Sequence, residues 1–156
     1  MKNEADFKKA FKKSVRAQGG YSISLSAPML IGTPDLYVIM PGYMPVLLEA
    51  KWLGTVGAKF KRKLQFTPMQ RDFLKECNKV KDCAALGLIG FRLDKDNHAV
   101  LVSPETENLE SGTWPFLPWT GFEGGNFNVL DLFSVSGIPK LNGFHHKPEI
   151  DLLCSK

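Results

Sequence analysis

Two apolar segments of strand length, separated by a turn, constrain this chain more than any other feature. The first runs from Leu36 to Met40, the second from Val46 to Trp52, and Pro41-Gly42-Tyr43-Met44-Pro45 lies between them. Proline and glycine mark tight connections, and apolar runs of this length that flank such a turn are typical of adjacent antiparallel strands. The sequence therefore predicts a β-hairpin.

Three charged residues stand out in this apolar hairpin. Asp35 precedes the first strand, while Glu49 and Lys51 lie two residues apart in the second and so share one face. Pairing about the turn brings Asp35 opposite the Glu49 end. Unpaired carboxylates beside a core are costly, so we expect them to be compensated by ion pairs with Lys51 or by a divalent cation. Carboxylate oxygens are the ligands that Mg²⁺ prefers.

The order of these residues, Pro34-Asp35 followed by Glu49-Ala50-Lys51, resembles the signature of the PD-(D/E)xK nuclease superfamily. The resemblance implies that Asp35, Glu49 and the main-chain carbonyl of Ala50 hold Mg²⁺, for which Mn²⁺ substitutes. It also implies that Lys51 activates the attacking water, because an ammonium group beside such a metal can orient water and balance charge on a phosphate.

Residues 3 to 17 are predicted to form an amphipathic helix. Phe7 and Phe11 recur at helical spacing, Asn3 is a suitable N-cap, and glycines follow the last turn. Glu4 lies in the first turn, where an acid also favours the helix dipole. Related nucleases carry a glutamate on the first helix that reaches the metal, and the resemblance makes Glu4 the candidate for that role.

The segment from Tyr21 to Ser26 alternates with a period of two and predicts a strand. We expect Tyr21, Ile23 and Leu25 to face the core, with the serines on the opposite face.

The segment after the hairpin, residues 52 to 66, is predicted to be a mobile basic loop that grips the sugar-phosphate backbone of DNA. Phe60 or Trp52 could pack on a base or sugar, although Trp52 and Phe66 could equally belong to the core. Clustered cations are the electrostatic footprint of phosphate binding, and also occur on solvated faces. The candidate DNA-binding residues are Lys59, Lys61, Arg62, Lys63, Arg71, Lys12 and Arg16.

A second helix is predicted to start at Thr67, with Pro68 in its first turn and Gln70 closing a capping box. In related nucleases a glutamine at the head of this helix points at the active site, so Gln70 has both a capping and a catalytic interpretation. Arg71 is expected to be exposed near the site. Two further strands follow, over residues 83 to 92 and 98 to 103.

This order of elements, α-β-β-β-α-β-β, predicts an α/β fold with a restriction-endonuclease-like core, in which a central mixed β-sheet is flanked by helices. We expect a single domain over residues 1 to 156, with its core over about 3 to 103. Residues 104 to 156 read as a loop-rich, aromatic extension with a short element at Val129 to Phe133. The order is most similar to archaeal and phage Holliday-junction resolvases and to VRR-NUC domains.

Composition indicates a globular cytoplasmic protein, or a phage-encoded one that acts in the host cytoplasm. Hydrophobic residues make up 44% of the chain, and it contains no apolar run long enough to span a membrane. The three cysteines, Cys77, Cys83 and Cys154, lack the spacing of a zinc site and are interpreted as reduced thiols. His145 and His146 could bind a metal, but adjacent histidines are more often surface residues.

The function these patterns favour is that of a Mg²⁺-dependent DNA endonuclease that hydrolyses phosphodiesters. We expect it to recognise branched DNA and to cut four-way junctions as a homodimer, since paired cuts need two active sites. One alternative is a VRR-NUC-like repair or flap nuclease. The other is a catalytically degenerate module that binds DNA and keeps the acids and lysine only as ion pairs.

Overall fold

The structure is a computed structural model that describes residues 1–25, 31–111 and 126–141. In chain order its elements are α1 (Glu4–Ala17), β1 (Tyr21–Ser24), β2 (Leu36–Ile39), β3 (Val46–Val56), β4 (Lys61–Lys63), α2 (Pro68–Lys79), β5 (Ala84–Leu93), β6 (Asp96–Val102), β7 (Asn108–Glu110) and α3 (Val129–Val135). Within these ranges no helix combines the length and apolarity needed to cross a membrane.

The central sheet has five strands in the order β1-β2-β3-β5-β6. The pairs β1–β2, β2–β3 and β5–β6 are antiparallel, whereas β3 and β5 are parallel and are connected through α2. The predicted α/β class, with a mixed sheet flanked by helices, is therefore confirmed. The predicted hairpin is also confirmed, because Leu36 pairs with Leu48 and this register places Asp35 opposite Glu49.

Helix α1 packs on one face of the sheet through fully buried Phe7 and Phe11. Its start is capped by Asn3, whose side chain accepts a hydrogen bond from the Asp6 N–H at 2.9 Å. The ring of Phe7 fits over Gly90 of β5, where an added Cβ atom would lie 2.6 Å from the ring. The close approach fixes the first turn of α1 next to the central strands.

The expected orientation of β1 is wrong. Tyr21 and Ile23 are exposed, with relative accessibilities of 58% and 43%, whereas Ser22 is buried. The reason is the register with β2, in which Ser22 pairs with Val38, a residue of the core. Paired residues share a face of the sheet, so the serine and not the flanking apolar residues points inward.

The prediction of a basic loop over residues 52 to 66 is also wrong. Strand β3 continues to Val56, and the cations of β4 pair with β7, a strand that the sequence did not indicate. Phe60 is buried, with its ring centroid 5.4 Å from that of Phe91, and is therefore not available to a base. Trp52 is half-buried and packs on Phe7. Phe60 therefore packs in a second apolar cluster with Phe91, whereas Trp52 packs on the face of the sheet that α1 covers.

The extension contributes to the core where it is described. Helix α3 contains the predicted short element, and Phe127 and Phe133 are fully buried in the cluster that includes Phe7 and Phe11. Cys77 and Cys83 are free thiols, as predicted. Much of the predicted aromatic extension lies outside the described ranges, including Trp114, Phe116, Trp119, Phe122 and Phe144, as do His145, His146 and Cys154.

Candidate active site

Asp35 lies immediately before β2, at the point where β2 and β3 stop pairing. Its Oδ2 accepts a hydrogen bond from the backbone N–H of Ala50 at 2.9 Å. Its own carbonyl accepts one from the N–H of Leu25 at 2.8 Å. The neighbouring segments on both sides therefore fix Asp35, and they aim its carboxylate at the middle of β3.

Glu49 is the buried acid of this site, with a relative accessibility of 3%. Its Oε1 accepts a hydrogen bond from Lys51 Nζ at 3.0 Å and another from Gln70 Nε2 at 2.5 Å. The structure therefore brings together the predicted residues Asp35, Glu49, Lys51 and Gln70. The pairing of Lys51 with Glu49 follows from their shared face of β3.

Gln70 forms the capping box that the sequence predicts, and its side chain also contacts Glu49. The Oε1 of Gln70 accepts a hydrogen bond from the N–H of Thr67, and the hydroxyl oxygen of Thr67 accepts one from the N–H of Gln70. The predicted capping box is therefore present. The Nε2 of Gln70 points the other way and donates to Glu49. Capping therefore fixes the Gln70 side chain in the orientation that contacts the buried acid.

The surroundings of Glu49 oppose its ionisation. Burial raises the pKa of Glu49, and the negative charges of Asp35 and Glu4 raise it further. The hydrogen bond and charge of Lys51 lower the pKa, but they do not outweigh the other effects. Extra positive charge at this position would relieve the repulsion among the three acids.

Lys8 belongs to this cluster, although the sequence reasoning missed it. Its Nζ lies 2.9 Å from Asp35 Oδ1 and 3.6 Å from Glu4 Oε1. Burial lowers the pKa of Lys8, but the hydrogen bond and charge of Asp35, together with Glu4, outweigh that effect and leave the pKa raised. The i,i+4 spacing from Glu4 was the available signal, since it places Lys8 on the same face of α1.

Two clefts flank the acids. One, of about 310 Å³, is lined by Glu4 and Lys51 together with the predicted DNA-binding residues Arg62 and Lys63. The other, of about 400 Å³, is lined by Asp35, Lys8, Lys9, Lys12 and Ser24. Lys12 Nζ donates to Ser24 Oγ at 2.9 Å. Of the other predicted contacts, Lys59, Lys61 and Arg16 are exposed, and Lys61 pairs with Glu110 across β4 and β7 at 2.7 Å.

Arg71 differs from its expected role. It is half-buried, and its guanidinium donates to the carbonyl oxygens of Pro104, Thr106 and Leu64 at 2.6, 2.9 and 3.3 Å. It also lies over the ring of Phe66, with its Cζ 5.2 Å from the ring centroid. These contacts tie α2 to Leu64, which directly follows β4, and to the segment between β6 and β7, so the guanidinium of Arg71 is engaged by the fold.

The donor set fits a hard cation that retains much of its water. In the described part of the chain no three residues among His, Cys, Asp and Glu are grouped closely enough to enclose a metal. Asp35 and Glu49 nevertheless offer carboxylate oxygens at one point, and both hydrogen bonds to Glu49 fall on Oε1. Mg²⁺ is commonly held by one or two carboxylates, with water and substrate phosphate in its other positions.

Comparison with known proteins finds a structural likeness only. No protein family and no curated protein matches the sequence. Among solved structures, the fold is similar to that of Hjc, a Holliday junction resolvase from the archaeal hyperthermophile Archaeoglobus fulgidus. The two share 12% identity with a TM-score of 0.48, over 88% of this chain and 98% of that one.

Proposed function

We propose that this protein is a Mg²⁺-dependent endonuclease that hydrolyses phosphodiester bonds in DNA. The observation that supports it most is the buried Glu49, which lies beside a second carboxylate and shares its face of β3 with Lys51. A purely structural ion pair needs only one acid for Lys51, and the repulsion among the acids is unfavourable for the metal-free fold. Functional sites are where such unfavourable charge arrangements are retained.

In this proposal Asp35 and Glu49 hold the metal, with the Ala50 carbonyl and Glu4 as further oxygen donors. The metal, when bound, acts as a Lewis acid on the phosphoryl oxygen. Lys51 orients the attacking water and balances the charge that develops on the phosphate. Gln70 positions Glu49 through its hydrogen bond to Oε1. The N–H of Ala50 fixes Asp35 in the same way.

The two clefts suggest how a DNA strand passes over these residues. Arg62 and Lys63 provide positive charge in one cleft, and Lys12 provides it in the other. A phosphate on each side of the acids would hold the scissile bond between them, because phosphate contacts fix the register of a nucleic acid without reading its sequence. Lys59, Lys61 and Arg16 extend the basic surface.

We further propose that the substrate is a branched DNA, in particular a four-way junction, and that the active form is a homodimer. This choice rests on the resemblance of the sequence signature and element order. A C2-symmetric dimer presents two equivalent sites, which matches the two cuts that a symmetric junction requires. Flap cleavage, or binding without cleavage, are the alternatives that the following experiment separates.

The test incubates the protein with labelled junction, flap and linear DNA in the presence of Mg²⁺, Mn²⁺ or EDTA. We expect metal-dependent cleavage of the junction. Asp35→Asn and Lys51→Ala should each lower the cleavage rate by at least about a hundredfold, because each removes a group that acts on the reacting phosphate. Binding of the junction in EDTA should be retained.

Asp72→Asn and Lys75→Ala are matched controls, since both residues lie on α2 away from the acids and are exposed. They should cleave like the wild type. Preferential cleavage of flaps would contradict junction resolution and support the repair-nuclease alternative. If the wild-type protein binds junctions but leaves them intact with every metal, the nuclease proposal is wrong and the chain is a DNA-binding module.

A further inference from the structure

The ammonium group of Lys8 contacts the acids at the point where a cation is needed. It lies one helical turn after Glu4 on α1, reaches across to the sheet, and contacts Asp35 Oδ1 at 2.9 Å and Glu4 Oε1 at 3.6 Å. Its side chain is 29% exposed. Elsewhere on α1, Lys9 and Lys13 are exposed and Lys12 donates to Ser24 Oγ. The contact with the acids therefore depends on the position of Lys8 and not on the general charge of α1.

Lys8 contacts the oxygen of Asp35 that the backbone N–H of Ala50 does not engage. Asp35 Oδ2 is already engaged by the N–H of Ala50, a backbone group that cannot move without disturbing β3. Oδ1 is therefore the oxygen of Asp35 that can be given up to a ligand. Because a single carboxylate oxygen accepts poorly from an ammonium and a dication at once, the two cations exclude each other on electrostatic grounds.

We propose that Lys8 is an internal competitor of the metal: in the metal-free protein its ammonium holds Asp35 Oδ1 and Glu4, and metal binding displaces it. The inference rests on the proposed function, and it makes Lys8 a positioning residue for the acids. The released side chain stays in the cleft that Lys12 and Ser24 line, where a substrate phosphate would attract it. Metal loading and Lys8 release then occur as one exchange.

Removing the charge of Lys8 should strengthen metal binding. One positive charge about 5 Å from a dication weakens its binding by roughly tenfold when solvent screens the pair almost as strongly as bulk water does. The Kd for Mn²⁺ should therefore fall by about 5- to 30-fold in Lys8→Met, which keeps much of the length and apolar stem of lysine. Lys8→Arg keeps the charge and should bind Mn²⁺ within about threefold of the wild type.

The experiment titrates each protein with Mn²⁺ and counts the free ion by electron paramagnetic resonance, without DNA. Lys13→Met is the control, since Lys13 lies on α1, is exposed and lines neither cleft. The Tm in EDTA and in Mn²⁺ gives a second readout. We expect Lys8→Met to melt lower than the wild type in EDTA, because Asp35 and Glu4 then lose their compensating ammonium group, and to gain more from Mn²⁺.

The outcomes separate this inference from the proposed function. If the wild type binds Mn²⁺ and cleaves junctions but Lys8→Met has an unchanged or higher Kd, the competition is wrong and the nuclease proposal stands. If Lys8→Met binds Mn²⁺ and the wild type does not, the competition is supported and a metal-dependent activity of the wild type is contradicted. If neither binds Mn²⁺, both proposals are overturned.

Discussion

At the scale of single residues, the site is defined by an acid, Glu49, whose surroundings oppose its ionisation. Glu49 is buried beside Asp35, and its pKa is raised even with the attraction of Lys51 included. The folded state therefore holds a proton on Glu49 more tightly than the unfolded chain does. Ionised Glu49 lowers the stability of the metal-free fold: the effect is absent below the ordinary pKa near 4.5, develops as the pH rises through the raised pKa, and is complete above it.

The direction of this pH dependence of stability leads to a prediction for the Glu49→Gln variant. In EDTA the variant should have a higher Tm than the wild type at pH 7 to 8, and the gain should disappear at pH 4, where Glu49 is protonated in both states. Glutamine can still accept from Lys51 and Gln70, so the main change is the loss of charge. Thermal melts over this pH range measure the effect.

Glu76→Gln is the control for that series. Glu76 pairs with Lys79 at 2.5 Å on the exposed face of α2, where solvent screens the interaction. The Tm of the Glu76→Gln variant should equal that of the wild type at every pH. A Glu49→Gln variant that melts lower than the wild type at pH 7 to 8 would contradict the assignment of Glu49 as a destabilising charge.

Local sequence patterns predicted the residues whose geometry is itself local. The spacing of Glu49 and Lys51 fixed their common face, the hairpin brought Asp35 opposite Glu49, and the capping box placed Gln70. Lys8 was missed because its contact with Asp35 depends on where α1 packs against the sheet. The expected exposure of Arg71 is wrong because two of its three acceptors, the carbonyls of Pro104 and Thr106, come from a distant segment.

At the scale of elements, the packing of α1 on β5 supports the site. Phe7 sits over Gly90, and it also contacts Phe11, Trp52 and Phe127, so its ring has little freedom to move. The same helix places Glu4 and Lys8 next to Asp35. A change that pushes α1 away from the sheet therefore affects the cluster of acids and the core together.

We predict that Gly90→Ala destabilises the fold by about 1–3 kcal/mol, because the added Cβ atom would lie 2.6 Å from the Phe7 ring. Urea unfolding measures this loss. Gly57→Ala is the control, since among the described residues no atom beyond its two chain neighbours lies within 4 Å of the Cβ position there, and it should unfold like the wild type. If Gly90→Ala is as stable as the wild type, α1 is not held at this contact.

The elements also show where periodicity is informative and where it is not. Alternation predicted the existence of β1, but its face was set by the register of Ser22 with Val38. The cations of residues 61 to 63 indicated a loop because exposed strands and loops have similar compositions. Their partner, β7, lies more than 40 residues later in the chain, so no local pattern could reveal the pairing.

At the scale of the whole molecule, the proposed reaction makes a prediction about assembly. One chain presents one pair of acids, Asp35 and Glu49, whereas resolution of a four-way junction needs two strands cut in concert. We therefore predict a dimer in solution, with a mass twice the 17.4 kDa of the chain by light scattering. We also predict that each site cuts one strand and that both cuts are made within the lifetime of one dimer–junction complex.

Mixed dimers test this arrangement. Wild-type and Asp35→Asn chains carrying different tags are co-expressed, and the heterodimer is isolated and given a supercoiled plasmid that extrudes a cruciform. The wild-type dimer should linearise the plasmid, because both strands are cut while the dimer is bound. The heterodimer should leave nicked circles, since only one of its sites retains the aspartate. Linearisation by the heterodimer, or by a protein whose mass is that of one chain, would contradict a paired-site mechanism.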